Sequence, residues 1–153
     1  MFSTRWPAER MTDRVALARI SSESISVDEC ARAVERDEAG AVVTFAGVVR
    51  NHDRGRDVVS LAYEAHPSAA EVIAAVAAEI AGQFESVRVA VEHRSGLLAV
   101  GEVALACAVS SAHRGEAFEA CARLVDAVKA RVPIWKLQRF ADGTEEWVAA
   151  HDH

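Results

Sequence analysis

Pro133 divides the last third of this chain into two periodicities. Before it, Phe118, Cys121, Ala122, Val125, Val128 and Val132 recur at the spacing of one helix side. After it, Ile134 to Phe140 alternates, with Ile134, Lys136 and Gln138 on one face and Trp135, Leu137 and Arg139 on the other. The helix must stop at this point, because proline drives its preceding residue out of the α region. A helix end, a proline turn and a strand bring two residues seven positions apart, Lys129 and Lys136, to one pocket rim. They are the chain's two lysines among 17 basic residues. Lys129 falls at the edge of the apolar stripe, so a partly buried stem is expected, with the amine at the last turn. Arginine keeps its proton and makes flat, forked contacts. Lysine is a compact charge that can also trade a proton or act as a nucleophile. The plainer reading is a pair of surface lysines complementing a helix dipole.

Upstream, the elements follow from capping signals and alternation. Arg14 to Ile20 is a first strand. Ser26 and Glu29 form a capping box that opens a helix with Val27, Cys30, Ala31 and Val34 inward and Gly40 as its C′ residue. Ala41 to Val49 is apolar enough for a buried strand, and Gly47 within it marks a bulge or a close backbone approach. A polar loop, Arg50 to Arg56, leads to a strand over Val58 to Ala65. Ser68 and Glu71 form a second capping box for an alanine-rich helix reaching about Gln83, with Val72, Ile73, Val76, Ala77 and Ile80 inward. Val87, Val89 and Val91 mark a half-buried strand, and Gly96 and Gly101 bracket a turn-rich piece. Val103, Leu105, Cys107 and Val109 mark the strand that joins the Lys129 helix through Ser110 to Arg114. A strand feeding a helix start is a ready anion site. Asp142-Gly143 is a turn before a short last segment at Trp147-Val148. The order implies an α+β fold: a mostly antiparallel, mixed sheet with two long helices.

Length and charge limit the function. The 153 residues fit one domain with a real core, expected over 13–150. Residues 1–12 lack the apolar core of a signal peptide and read as a loose extension, with Met11 a candidate start. A net charge of −6 argues against general nucleic-acid binding. Cys30, Cys107 and Cys121 lie far apart and read as small core residues, which fits a reducing cytoplasm. No apolar run approaches a membrane span. Phosphate-loop, dinucleotide, zinc-protease and serine-hydrolase signatures are absent from the sequence, and its histidines are too scattered for a metal site. His151 and His153 fall in a tail read as disordered. What remains is a set of cations at element ends: Arg50, His113, Arg114, Lys129 and Lys136. In an acidic protein such a set points to a pocket for a small phosphate or carboxylate.

Five segments in fixed order carry a resemblance: Phe45-Ala-Gly47-Val-Val-Arg50, Leu61-Ala-Tyr-Glu64, His93-Arg94-Ser-Gly96, Ser111-Ala-His-Arg114, and Lys129 through Pro-Ile-Trp-Lys136. Over roughly residues 14–149 the chain resembles the large, catalytic subunit of molybdopterin synthase. The resemblance implies an α/β-hammerhead fold and a homodimer. Each copy would bind a small ubiquitin-like sulfur carrier whose C-terminal Gly-Gly ends in a thiocarboxylate, giving a heterotetramer overall. The implied substrate is cyclic pyranopterin monophosphate (precursor Z), converted to the dithiolene of molybdopterin without a resident cofactor. Lys129 would be the main catalytic residue, with Lys136 assisting. Val48, Val49, Arg50, His113, Arg114, Leu137 and Gln138 would contact substrate. Two positions depart from the family pattern. Val48 stands where many relatives have Lys, and Gln138 stands where Glu is common, so Gln138→Glu is expected to be tolerated. The alternative is a non-catalytic anion-binding or scaffold module of the same fold.

Overall fold

A computed structural model describes residues 11–149. Most of the expected N-terminal extension, and the tail with His151 and His153, lie outside the described residues. The elements run α1 Met11–Arg14, β1 Val15–Ser21, α2 Val27–Ala33, β2 Ala41–Val48, β3 His52–Asp53, β4 Arg56–Ala65, α3 Ala69–Gly82, β5 Val87–Arg94, β6 Gly96–Ala99, β7 Val103–Ser111, α4 Arg114–Arg131, β8 Ile134–Phe140 and β9 Glu145–Ala149. The fold is α+β and mixed, as expected. A first sheet has the order β1-β5-β7-β2, with β1 parallel to β5 and the other pairs antiparallel. A second, antiparallel sheet has the order β3-β4-β8-β9, with β6 on β4. Among the described residues no helix is long and apolar enough to cross a membrane.

The first sheet is covered on both faces. Ile73, Val76 and Ile80 of α3 and Leu124 and Val128 of α4 pack on Val89, Val91, Leu105, Cys107 and Val109. Cys30 and Val34, in and just after α2, pack on Ala90, Ala106 and Ala108 of the other face, where small residues let the short helix approach. This corrects the reading of β5 as half-buried: all but Arg88 of its eight residues are buried, Glu92 included. Strand β2 departs in the opposite direction. It is the edge of the sheet, and its residues alternate between partly buried and exposed. The helix stripe also sits differently. Ala117, Ala120, Cys121, Leu124 and Val128 are its buried residues, while Phe118 is 60% exposed.

Capping chemistry was half right. Ser26 Oγ accepts the Glu29 N–H at 3.3 Å, but the Glu29 carboxylate turns to Arg19 at 2.7 Å. At Ser68 the box does not form. Nδ1 of His66 accepts from both the Ser68 N–H, at 3.0 Å, and its hydroxyl, at 2.8 Å, so the hydroxyl is diverted from the helix. Gly40 is not a helix C′ residue either, since α2 ends at Ala33. It lies where β2 enters beside the β7–α4 joint, and a Cβ there would sit 2.6 Å from the carbonyl oxygen of Ala112. Backbone must move to admit one. Gly40→Ala and Gly40→Asn are therefore both expected to destabilise by about 1–3 kcal/mol. A left-handed C′ site would accept Asn with little loss, so urea unfolding of the two variants separates the roles.

Where the sheets meet, the β2–β7 register slips. Gly47 faces Leu105 and Val48 faces Val103, which leaves Ala104 unmatched. The bulge expected at Gly47 is present, with the surplus residue on β7. Below it lies a third core cluster of Val49, Val58, Leu61, Leu98, Ala104 and Phe140. These residues form the floor between the two sheets.

Candidate active site

The sheets, the end of α4 and the β3–β4 hairpin enclose a cavity of about 330 Å³. Lys129 reaches it from the last turn of α4. The helix stops there as the proline requires: Val132 is extended, and its N–H closes on the Val128 carbonyl at 3.0 Å. Strand β8 then supplies Lys136 and Gln138 from its inner face, 4% and 2% exposed. Val48, Val49 and Arg50 enter from the end of β2. Six of the nine expected residues thus share one cavity.

The other three do not. Leu137 is on the outer face of β8, as alternation dictates, and is absent from the lining. His113 and Arg114 are exposed at the start of α4. Helical rise puts them about 22 Å from Lys129 along the axis. The carboxylate nearest that helix start is engaged elsewhere. Glu116 accepts from the Glu85 and Ser86 N–H groups at 3.1 and 3.3 Å and from the Ser86 hydroxyl at 2.9 Å. The partly buried stem expected for Lys129 is not found. Lys129 is exposed at the rim and Lys136 is the buried one.

Four lining residues with polar side chains were missed by sequence reasoning: His52, Asp53, Tyr63 and His93. His93 is 7% exposed, and its Nδ1 is 2.8 Å from the Arg94 carbonyl. A carbonyl can only accept, so Nδ1 carries the proton and Nε2 is left as the acceptor. Tyr63 meets the ring edge-on, with centroids 5.2 Å apart. Burial pushes His93 down to about 4, helped by the Lys129 charge and opposed by the Arg94 carbonyl. Burial also raises the Tyr63 phenol to about 12. Both are neutral at working pH. Asp53 accepts from Gln138 Nε2 at 2.9 Å, and that bond, ahead of the Lys136, Arg50 and Arg54 charges, holds its carboxyl below the ordinary range. A polar loop rich in arginine hid Asp53 from a reading of one sequence. His93 opens the motif His93-Arg94-Ser-Gly96, whose residue types do not reveal that the ring faces a cavity.

The arrangement suits an anionic ligand. Two ammonium groups and a guanidinium converge on a pocket floored by Leu61, Ala104 and Leu105. Fixed cations in a partly apolar site stabilise developing negative charge more than the same ions in water. The cysteines take no part in this: all three are buried. Desolvation raises their thiols, Cys30 to about 12, Cys107 well above its ordinary value and Cys121 upward.

Residues 20–131 match the family model described as MoaE protein. The chain is 41% identical over 130 residues to the molybdopterin synthase catalytic subunit of Bacillus subtilis, covering 84% of this chain and 82% of that one. It is 40% identical over 131 residues to molybdopterin synthase catalytic subunit 1 of Mycobacterium tuberculosis, covering 85% and 88%. Its fold matches the crystal structure of molybdopterin synthase from Staphylococcus aureus with a TM-score of 0.81 at 32% identity, over 86% of this chain and 96% of that one. Sequence and fold agree: the chain belongs to the MoaE protein family, that of the molybdopterin synthase catalytic subunits.

Proposed function

We propose that this chain is the sulfur-transferring subunit of a molybdopterin synthase. The observation that carries the reading is the convergence of Lys129, Lys136 and Arg50 on one cavity. A small carrier protein inserts its C-terminal Gly-Gly thiocarboxylate beside Lys129. Its sulfur attacks cyclic pyranopterin monophosphate, and two such transfers with opening of the cyclic phosphate give the dithiolene. Release of the carrier's acyl carbon to water passes through a tetrahedral oxyanion, which an adjacent ammonium stabilises. Lys136 and Arg50 hold the phosphate, and Lys129 moves the proton at the acyl centre. In this reading the carrier is the sulfur source, since each thiol of this chain is buried and raised in pKa.

The distance between His113-Arg114 and Lys129 fits a homodimer in which one copy's His113 and Arg114 close the cavity of the other. With one carrier per copy the assembly is a heterotetramer. The test is conversion of precursor Z to the dithiolene by the purified chain with thiocarboxylated carrier. Binding without turnover would favour a scaffold, and full-rate sulfuration from free sulfide would contradict the carrier's role. The dimer has its own check. Lys129→Ala and Arg114→Ala should each be poorly active, and mixing them should restore part of the activity, because one site of each mixed dimer is intact. Unrestored activity in a mixture shown to exchange subunits would place both residues in one copy's site.

A further inference from the structure

The lip of the cavity carries a carboxylate that works against an anionic ligand by charge alone. Asp53 sits on β3, whose pairing with β4 turns through Arg54 and Gly55, both at positive φ (51° and 79°). This tight, twist-matched turn gives the side chain a firm base in place of a loose loop. Its Oδ2 accepts from Gln138 Nε2 at 2.9 Å, and its Oδ1 lies 3.4 Å from Arg50 Nη2. The Asp53 side chain is 14% exposed, Gln138 is buried, and the Arg50 side chain is 58% exposed. One carboxylate therefore joins the end of β2, the hairpin and the inner face of β8.

Each link constrains a group that faces the cavity. An ionised carboxylate only accepts, so it fixes which end of the Gln138 amide turns toward it. An exposed arginine otherwise samples many rotamers, and ordering it on binding opposes affinity. A charge-assisted contact to a half-buried partner restricts that sampling before the ligand arrives.

We propose that Asp53 is a positioning residue of this site, setting the Gln138 amide and drawing Arg50 over the cavity so that an anionic substrate meets donors already in place. The inference rests on the cavity being the substrate site. It makes a prediction of sign. If Asp53 merely sits in the pocket's field, Asp53→Asn removes a repulsive charge and anion binding tightens. If it positions, binding weakens despite the favourable change in charge.

Calorimetry with cyclic pyranopterin monophosphate on four proteins decides this: the unmodified chain, Asp53→Asn, Gln138→Glu and the double variant, each with its thermal midpoint and its turnover on saturating thiocarboxylated carrier. Asp53→Asn is expected to weaken binding by about ten- to a hundredfold with a small change in midpoint. Gln138→Glu sets two carboxylates at hydrogen-bond distance. It should lose affinity at neutral pH and recover on acidification, when the pair can share a proton. This reverses the tolerance expected from the sequence. The double variant exchanges amide and carboxylate and should lie closer to the unmodified chain than either single variant. Unchanged or tighter binding by Asp53→Asn, or a double variant no better than its parents, overturns the proposal. Failure of the unmodified chain to turn over, with these binding changes intact, would overturn the sulfur-transfer reading and leave the role of Asp53 standing.

Discussion

Lys129→Arg is expected to be nearly as damaging as Lys129→Ala, with turnover falling by about 10²–10⁴-fold under saturating carrier. The position explains why charge alone is not enough. Lys129 stands on the last turn of α4, at the rim of a cavity it shares with a buried Lys136. A slim stem delivers a single ammonium to one point there. The guanidinium of arginine is broad and flat, and it does not release its proton. If Lys129 only attracted an anion, arginine would serve and most activity would survive. If it moves a proton at the acyl carbon, neither variant can. Carrier binding should stay near normal in both, because one rim side chain is a small part of a protein–protein interface. Near-normal turnover by Lys129→Arg would remove Lys129 from the chemistry and leave Lys136 as the candidate.

Two neighbours on β5 are expected to cancel one another's response to acid, so that each becomes visible only when the other is removed. Glu92 is fully buried on the α2 side of the sheet, facing Arg19 of β1 and Glu29 and Cys30 of α2. Desolvation, with the neighbouring Glu29 carboxylate and against the Arg19 charge, raises it from 4.5 to about 7. Between those values the folded chain holds a proton that the unfolded chain has lost. This contribution to stability is full below 4.5 and fades as pH rises toward 7. His93 behaves in the opposite sense. Facing Tyr63 and Lys129, it falls from 6.5 to about 4. Over that range the unfolded chain holds the extra proton, so stability is present above 6.5 and fades as pH drops toward 4. From about 4.5 to 6.5 the two slopes oppose and the unmodified chain should show a flat profile. Glu92→Gln should then lose stability on acidification, and His93→Gln should lose it on going to neutral pH, each on the order of 2–3 kcal/mol across its window. Urea midpoints at the two ends of the range test this. Parallel profiles in the two variants would mean that neither group titrates as its surroundings imply.

The helix-to-strand joint was readable because its rules are local. A proline stops a helix whatever surrounds it, and alternation alone placed Lys136 and Gln138 together on the inner face of β8. The expectations that failed depended on neighbours. Val87, Val89 and Val91 alternate with Arg88, Ala90 and Glu92, which looks like a strand with one wet face. It is an inner strand covered by helices on both sides, and Glu92 is accommodated by Arg19 reaching over from β1. Ala41 to Val49 looks like a buried strand, but β2 has a partner on one edge only. Asp53 could not be singled out, because its partner Gln138 lies 85 residues away and the two meet only when β3 and β8 share a sheet.

The slip between β2 and β7 has a bearing on how this site can change. A strand counts in twos, so one surplus residue would invert inside and outside for everything beyond it unless a bulge absorbs the count. Strand β2 keeps its own alternation through the slip, with Val49 turned inward to the floor, while on β7 the surplus residue lets the neighbours Ala104 and Leu105 both line the cavity. The cavity therefore depends on the bulge as well as on which residues are present. A substitution at Ala104 keeps the count. A single-residue deletion there would take one residue out of the floor and let the Gly47–Leu105 and Val48–Val103 pairs follow one another as a regular ladder, flattening the wall that the bulge pushes into the pocket.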